Sequence, residues 1–244
     1  MDPKEHITRD ESGKVVDATM YRSLVGGLRY LVNPRPDIEF SVGMVSRYME
    51  RPTTLHLSAV KRILRYIKGT LQYGLTYARD SGNNVVTGFS DSDLGGTIND
   101  RKRTCGMVYY MNDSLIFWVS QKQIVVALSS CEAEFITATT AACQGIWIRN
   151  VLRQTTGEFI GPVVLFIDNK SAIDLAKYPV FHGRSKYIDI RFHFIRECVE
   201  RRKIVVKHIS GERQRADCLT KALETIKFER MRNLLGVREE MLGF

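Results

Sequence analysis

No apolar run among the 244 residues approaches the roughly 18 that would cross a bilayer, so no membrane-spanning helix is expected. The stretch Met1–His6 holds none of the apolar length that a secretory leader uses. Cysteine is scarce and scattered. Cys105, Cys131, Cys143, Cys198 and Cys218 are an odd set with no Cys-x-x-Cys spacing, which argues against a disulfide framework or a structural zinc. A reducing, intracellular setting is the expectation, cytoplasm or nucleus. There is no Gly-x-x-x-x-Gly-Lys loop for nucleotide phosphates and no His-Glu-x-x-His. His182 and His193 have a spacing that fits no standard metal site. No internal repeat or low-complexity tract is present.

What is there is an ordinary globular composition, 44% apolar, enough to fill a core. Thirty-six Lys and Arg stand against 27 Asp and Glu, a net charge of +9. The excess is uneven: from Lys177 to Arg230 fourteen basic residues oppose seven acidic ones, so seven of the nine charges lie there. Such a run reads either as solvated helix faces or as an electrostatic footprint for phosphates.

Residues 1–17 are polar and read as a tail or linker. From Asp17, a plausible N-cap, Tyr21, Leu24, Val25, Leu28, Leu31 and Val32 recur at helical steps until Asn33-Pro34-Arg35-Pro36 stops them. Ile38, Val42, Val45 and Met49 predict a second helix. Leu57, Val60, Ile63, Leu64 and Ile67 predict a third, ending at Gly69. The texture then changes. Strands are predicted at Tyr73–Tyr77, Val85–Asp91, Thr104–Met111, Leu115–Val119, Val163–Asp168 and Ile204–Ile209. Asp80-Ser81-Gly82-Asn83-Asn84 reads as a turn between the first two, and Asn112-Asp113-Ser114 as a hairpin loop. Helices are predicted from Ser129 or Ser130 to about Arg153, from Asn169 to Ala176, and at Ile188–Arg201 and Arg215–Leu223, with Pro179–Lys186 as loop. The result is an α/β layout, a central sheet with helices on its faces.

The acidic residues fall where such a sheet gathers its chemistry. Asp91 closes the first long strand and Asp168 the buried one, while Glu132 and Asp217 lie near helix starts. In an open α/β sheet, strand ends and nearby helix starts converge on one crevice. Four carboxylates there require cations. Hard divalent ions take oxygen ligands, and a pair of them is the apparatus of in-line phosphoryl transfer. Taken singly, each acid also suits a cap or turn; the coincidence of four favours a metal site.

Several stretches resemble one family. Ser90-Asp91-Ser92-Asp93-Leu94-Gly95-Gly96, Asn99–Thr104, Val126–Phe135 with its Ser129-Ser130-Cys131-Glu132-Ala133-Glu134, Asp168–Ile173, Val180-Phe181-His182, Lys186–Glu197 and Ala216-Asp217-Cys218-Leu219-Thr220-Lys221 look like the ribonuclease H domain of copia-type retrotransposon Pol polyproteins. Asp17–Gly26, Arg35–Ile38 and Ala59–Thr70 are similar to the thumb and connection at the end of the reverse transcriptase. The resemblance implies a ribonuclease H-like mixed five-stranded sheet with flanking helices, preceded by a small helical module. Its implied segments are a tail at 1–17, a helical thumb or connection remnant at 18–78, the ribonuclease H-like domain at 79–224 and a C-terminal helical extension at 225–244.

The resemblance further implies Asp91, Glu132, Asp168 and Asp217 as catalytic metal ligands, two Mg2+ ions with Mn2+ as a substitute, and hydrolysis of the RNA strand of RNA–DNA hybrids. Asp93 for Asp91, or Glu134 for Glu132, aligns equally; the first of each pair is taken here. Arg101, Lys102, Arg103, Gln121 and Lys122 bracket the hairpin and are expected, with Asn169, Lys186 and Arg191 of the matching motifs, to face nucleic acid. The remainder of a Pol polyprotein is the other expected partner, and no membrane is. Leu94 replaces the family's usual tryptophan and Tyr187 its histidine, and no histidine lies between Gly211 and Asp217. No two aspartates are adjacent, so the polymerase palm's signature is absent and no copying activity is expected. The chain thus resembles the C-terminal piece of a larger polyprotein, acting in the cytoplasm, within a virus-like particle, or in the nucleus. A catalytically silent, domesticated or decayed nucleic-acid-binding remnant is the alternative.

Overall fold

The computed structural model describes residues 7–77, 84–93, 101–177 and 186–239, with the side chains of 186–189 left out. Expectations for Met1–His6, Asp80–Asn83, Leu94–Asp100 and 178–185, His182 among them, lie outside the described residues.

Three helices come first: α1 (Ala18–Leu31), α2 (Glu39–Ser46) and α3 (Thr54–Lys68). The Asp17 carboxylate caps α1, accepting the Thr19 and Met20 N–H groups at 2.8 and 3.3 Å. At α3, Thr53 and His56 cap each other's backbone, satisfying two donors that a helix start leaves orphaned. Tyr21, Val25, Leu28, Ile38, Val42, Val45, Val60 and Ile63 bury one another in a cluster of their own. A buried ion pair closes its lower end: Arg35 meets both oxygens of Asp37 at 2.9 and 2.8 Å and also binds Thr70.

The main sheet holds β2 (Val86–Ser92), β3 (Thr104–Met111), β4 (Ser114–Lys122), β5 (Val163–Ile167) and β6 (Ile204–His208). Their order is β4-β3-β2-β5-β6. β3 pairs antiparallel with both β2 and β4, while β5 pairs parallel with both β2 and β6. Asn112 takes a left-handed φ of 55° at the β3–β4 hairpin, a conformation Asn tolerates well. One sheet face packs on α4 (Ser130–Thr156), α5 (Lys170–Lys177) and α6 (Lys186–Glu200). Gly88 matters there: a Cβ on it would lie 2.4 Å from the Tyr109 ring. That ring fills the space below α4, and its hydroxyl donates to the Ala141 carbonyl. This is the mixed sheet with flanking helices that the sequence led us to expect.

The opposite face differs from expectation in two respects. Arg215–Leu223 is not a helix; a five-residue 3-10 turn, Arg215–Leu219, lies tight on β3, and α7 (Thr225–Leu234) follows separately. The strand expected at Tyr73–Tyr77 shrinks to β1 (Tyr73–Leu75) and pairs with β7 (Val237–Glu239) outside the main sheet. Residues 225–239 therefore fold back, and Met231, Leu235 and Val237 complete the second core with Phe89, Val108, Tyr110 and Leu219. The two bodies are joined through Tyr66, whose hydroxyl donates to Asp37 at 2.6 Å and receives Arg232 at 3.3 Å. No described helix is long and apolar enough to cross a membrane.

Candidate active site

Two parallel strands set the floor of the site. The β2–β5 register pairs Phe89 with Phe166, so two residues further on Asp91 and Asp168 reach the same edge of the sheet side by side. Asp91 is 1% exposed and stands opposite Gly106 of β3. A Cβ on Gly106 would lie 2.7 Å from Thr220 and 2.9 Å from Leu219, so only glycine lets the 3-10 turn settle against β3. Gln214, fully buried, ties that turn to β2 by donating to the Ser90 carbonyl at 2.9 Å. Asp217 and Thr220 are thereby held beside Asp91, and the Thr220 hydroxyl donates to the Asp91 carboxylate.

The third wall is the start of α4. Ser129 caps it, accepting the Glu132 N–H at 3.1 Å, and the Glu132 carboxylate reaches back to the Leu128 N–H at 2.8 Å. Glu132 is thus spent on the helix start. Two residues later the helix has turned by about 200°. Glu134 faces the sheet there, and its Oε1 accepts the Ser92 N–H at 3.0 Å. The structure therefore corrects the choice within this pair: Glu134, not Glu132, joins the acidic group. The signal was in the sequence, since Ser-x-x-Glu at 129–132 is a capping box and marks its Glu as a cap. Within the other pair Asp91 points inward, while Asp93 accepts the Thr104 N–H at 3.0 Å.

Asp91, Glu134 and Asp168 each bring an oxygen within 4.8 Å of the others. The second oxygen of Glu134, on a residue 5% exposed, has no hydrogen-bond partner among the described residues. An orphaned buried carboxylate oxygen beside two further carboxylates is the donor set that a hard divalent cation satisfies. The electrostatics agree. Burial, then Asp217 and Asp168, push the Asp91 carboxyl above its ordinary range against the pull of Lys221 and Thr220. Burial raises Glu134 too, followed by Asp91 and Asp168. Asp168 is raised by burial and by Asp217. Burial draws the Lys221 ammonium down, but Asp91, Asp217 and Asp168 outweigh it and hold its pKa above the usual range. Asp217 stands apart from the three, 2.8 Å from Lys221 and in contact with Lys227.

The residues expected to face nucleic acid divide. Thr104 pairs with Lys122 and Cys105 with Gln121, so Arg101, Lys102, Arg103, Gln121 and Lys122 sit together at the Asp91 end of the sheet. Arg103 donates to the Asp93 carbonyl at 3.0 Å, and Arg101 and Gln121 are exposed. Asn169 instead caps α5, accepting the Ala172 N–H at 3.0 Å. Arg191 reaches back to Ile136 and Thr140, each at 3.2 Å, and braces α6 against α4. Lys186 begins α6, and its side chain lies outside the described residues. Sequence reasoning passed over Gly106, Gln214, Thr220 and Lys221. Three of these are neutral, and Lys221 looked like one more member of a basic run.

No family model matches the chain. It is 39% identical over 231 residues to the retrovirus-related Pol polyprotein from transposon TNT 1-94 of Nicotiana tabacum, covering 94% of this chain and 17% of that protein. To the retrovirus-related Pol polyprotein from transposon RE1 of Arabidopsis thaliana it is 37% identical over 238 residues, 97% of this chain and 16% of that one. The chain spans about a sixth of the length of these curated relatives. A solved ribonuclease H1 isolated from compost superposes with a TM-score of 0.42 at 17% identity, over 56% of this chain and 93% of that one. Along nearly its whole length, the chain is thus similar to the retrovirus-related Pol polyproteins of plant transposons.

Proposed function

We propose that this chain is a divalent-metal-dependent endonuclease that hydrolyses the RNA strand of RNA–DNA hybrids. The observation that carries the reading is the convergence of Asp91, Glu134 and Asp168 on one sheet edge, with a buried Glu134 oxygen that has no partner among the described residues. These three would hold the metal, which when bound supplies Lewis-acid stabilisation of phosphoryl charge and activation of water. The remaining steps fall to the protein. Ser92 and Thr220 fix the rotamers of Glu134 and Asp91, so the ligand oxygens are in place before substrate arrives. Gln123 donates to Ala133 and Thr137, pinning the start of α4 to the edge of β4. Arg101, Lys102 and Lys122 would take backbone phosphates, and the hybrid would be distinguished by its 2′-hydroxyls and duplex shape. The rest of a Pol polyprotein is the proposed physiological partner.

The test is direct. Purified chain is incubated with a hybrid labelled on its RNA strand and Mg2+, beside an Asp168→Asn control. RNA cleavage by the wild type alone is expected. No cleavage at any metal concentration would sink the enzyme reading, and cleavage surviving Asp168→Asn would displace the site.

A further inference from the structure

A cavity of about 580 Å³ lies between the helical module and the folded-back C-terminal segment. Residues 37–41 and α3 supply one wall, and residues 218–232 the other. Sites for small molecules have this size and carry a few polar groups on an apolar lining. Ile38 and Ile63, both buried, belong to the apolar part. Three rings, Phe40, Tyr66 and Phe228, line the space as well, and Tyr66 meets Phe228 edge-on with 5.6 Å between centroids. Ring edges and faces so arranged suit a flat aromatic group.

The buried charge beside the cavity does not balance. Arg35, Asp37 and Arg232 are 6%, 3% and 8% exposed, two guanidiniums to one carboxylate. Asp37 is spent: Arg35 takes both of its oxygens, and the Tyr66 hydroxyl donates to one of them. Arg232, on the cavity wall, has the Tyr66 hydroxyl at 3.3 Å and the face of the Tyr73 ring, 4.4 Å from its guanidinium carbon. Its Nε has no hydrogen-bond partner among the described residues. A guanidinium taken out of water without an anion is costly, and a carboxylate is the anion that its fork fits. The other charged side chains on the wall, Arg62, Lys221, Glu224 and Glu229, are two of each sign, and both acids are exposed to water. They leave the buried excess where it is, at Arg232.

We propose that this cavity binds a small aromatic carboxylate, with its ring among Phe40, Tyr66 and Phe228 and its acid group on Arg232. The site is separate from the sheet edge that gathers Asp91, Glu134 and Asp168, and binding there needs no metal.

The test uses 2-naphthoate as the probe and 2-naphthamide as its uncharged counterpart, each titrated into the full chain and followed by ligand proton NMR. A Kd of about 1 mM or tighter is expected for an acid of this size. The amide should bind about tenfold more weakly or worse, because it forgoes a charge-assisted pair. Arg232→Gln should remove that preference, and Ala222→Trp, which fills the cavity from its wall, should block both probes. Should either variant fail to fold, the acid-to-amide ratio on the wild type decides. No binding of naphthoate, equal affinity for acid and amide, or a folded Arg232→Gln or Ala222→Trp that binds naphthoate as the wild type does would each overturn the inference. Adenosine 5′-monophosphate binding more tightly than naphthoate would also overturn it and give the cavity to nucleotides.

Discussion

Glu132 and Glu134, two residues apart on α4, face opposite tasks: the first closes the helix start on the Leu128 N–H, and the second enters the acidic group through the Ser92 N–H. Their substitutions should separate cleanly. Glu134→Gln removes a proposed metal ligand, and several kcal/mol of charge stabilisation at tenfold per 1.36 kcal/mol predicts a loss of cleavage of about a hundredfold or more. Glu132→Ala removes a cap and should cost about 1 kcal/mol of stability with cleavage retained. Urea unfolding and hybrid cleavage on both variants check this. Equal loss of cleavage in both would refute the division of labour.

Metal-free stability should fall as pH rises. Asp91, Glu134 and Asp168 all have folded-state values raised above the ordinary carboxylate range, so the folded chain binds more protons than the unfolded one. By linkage their stabilising share is full below about pH 4 and is lost as pH climbs through the raised values. Thermal melts in chelator should show this decline, set against the acid unfolding of other groups. Saturating Mg2+ should reverse it near neutrality, because a ligand of the native state alone stabilises that state. A melting temperature in chelator that rises steadily from pH 5 to 8 would contradict the shifts.

Gly106→Ala should damage the site from a distance. The added methyl would sit 2.7 Å from Thr220, 2.9 Å from Leu219 and 3.0 Å from the Ala216 carbonyl. Overpacking of this kind costs about 1–3 kcal/mol, and here it pushes Thr220 and Asp217 away from Asp91. Reduced stability together with a lower cleavage rate at saturating substrate is expected. Unchanged stability would show that the 3-10 turn is more loosely seated than described.

Phosphate grip is read from salt. Log affinity for a hybrid, measured with Asp168→Asn so that nothing is cut, should fall linearly with log salt concentration. Each phosphate contact contributes about 0.9 to the slope on a DNA duplex. Changing both Arg101 and Lys102 to alanine should flatten that slope by about 1–2. A slope left unchanged would remove this edge of the sheet from the interface.

Much of this molecule was legible in its residues. The period of Tyr21, Val25 and Leu28, the short apolar run at 163–167 and the Asn112 turn depend on local preferences, and those elements formed where expected. Asp91 and Asp168 were equally readable, because an acid at the end of a buried strand needs only strand adjacency to acquire a neighbour. Local preference stopped where a helix rotation or a close approach took over. The split between Glu132 and Glu134 is decided by which side of α4 meets β2. The 3-10 turn at 215–219 exists because Gly106 leaves room for it and Gln214 ties it down. Lys221 shows the difference most plainly. Its charge was countable as one of 36 basic residues, but its role follows from the 2.8 and 3.5 Å that separate it from two buried aspartates. Composition alone determined that such charges exist in excess. Tertiary structure decided which of them stands against the buried acids, and that proximity is what turns a basic residue into part of a site.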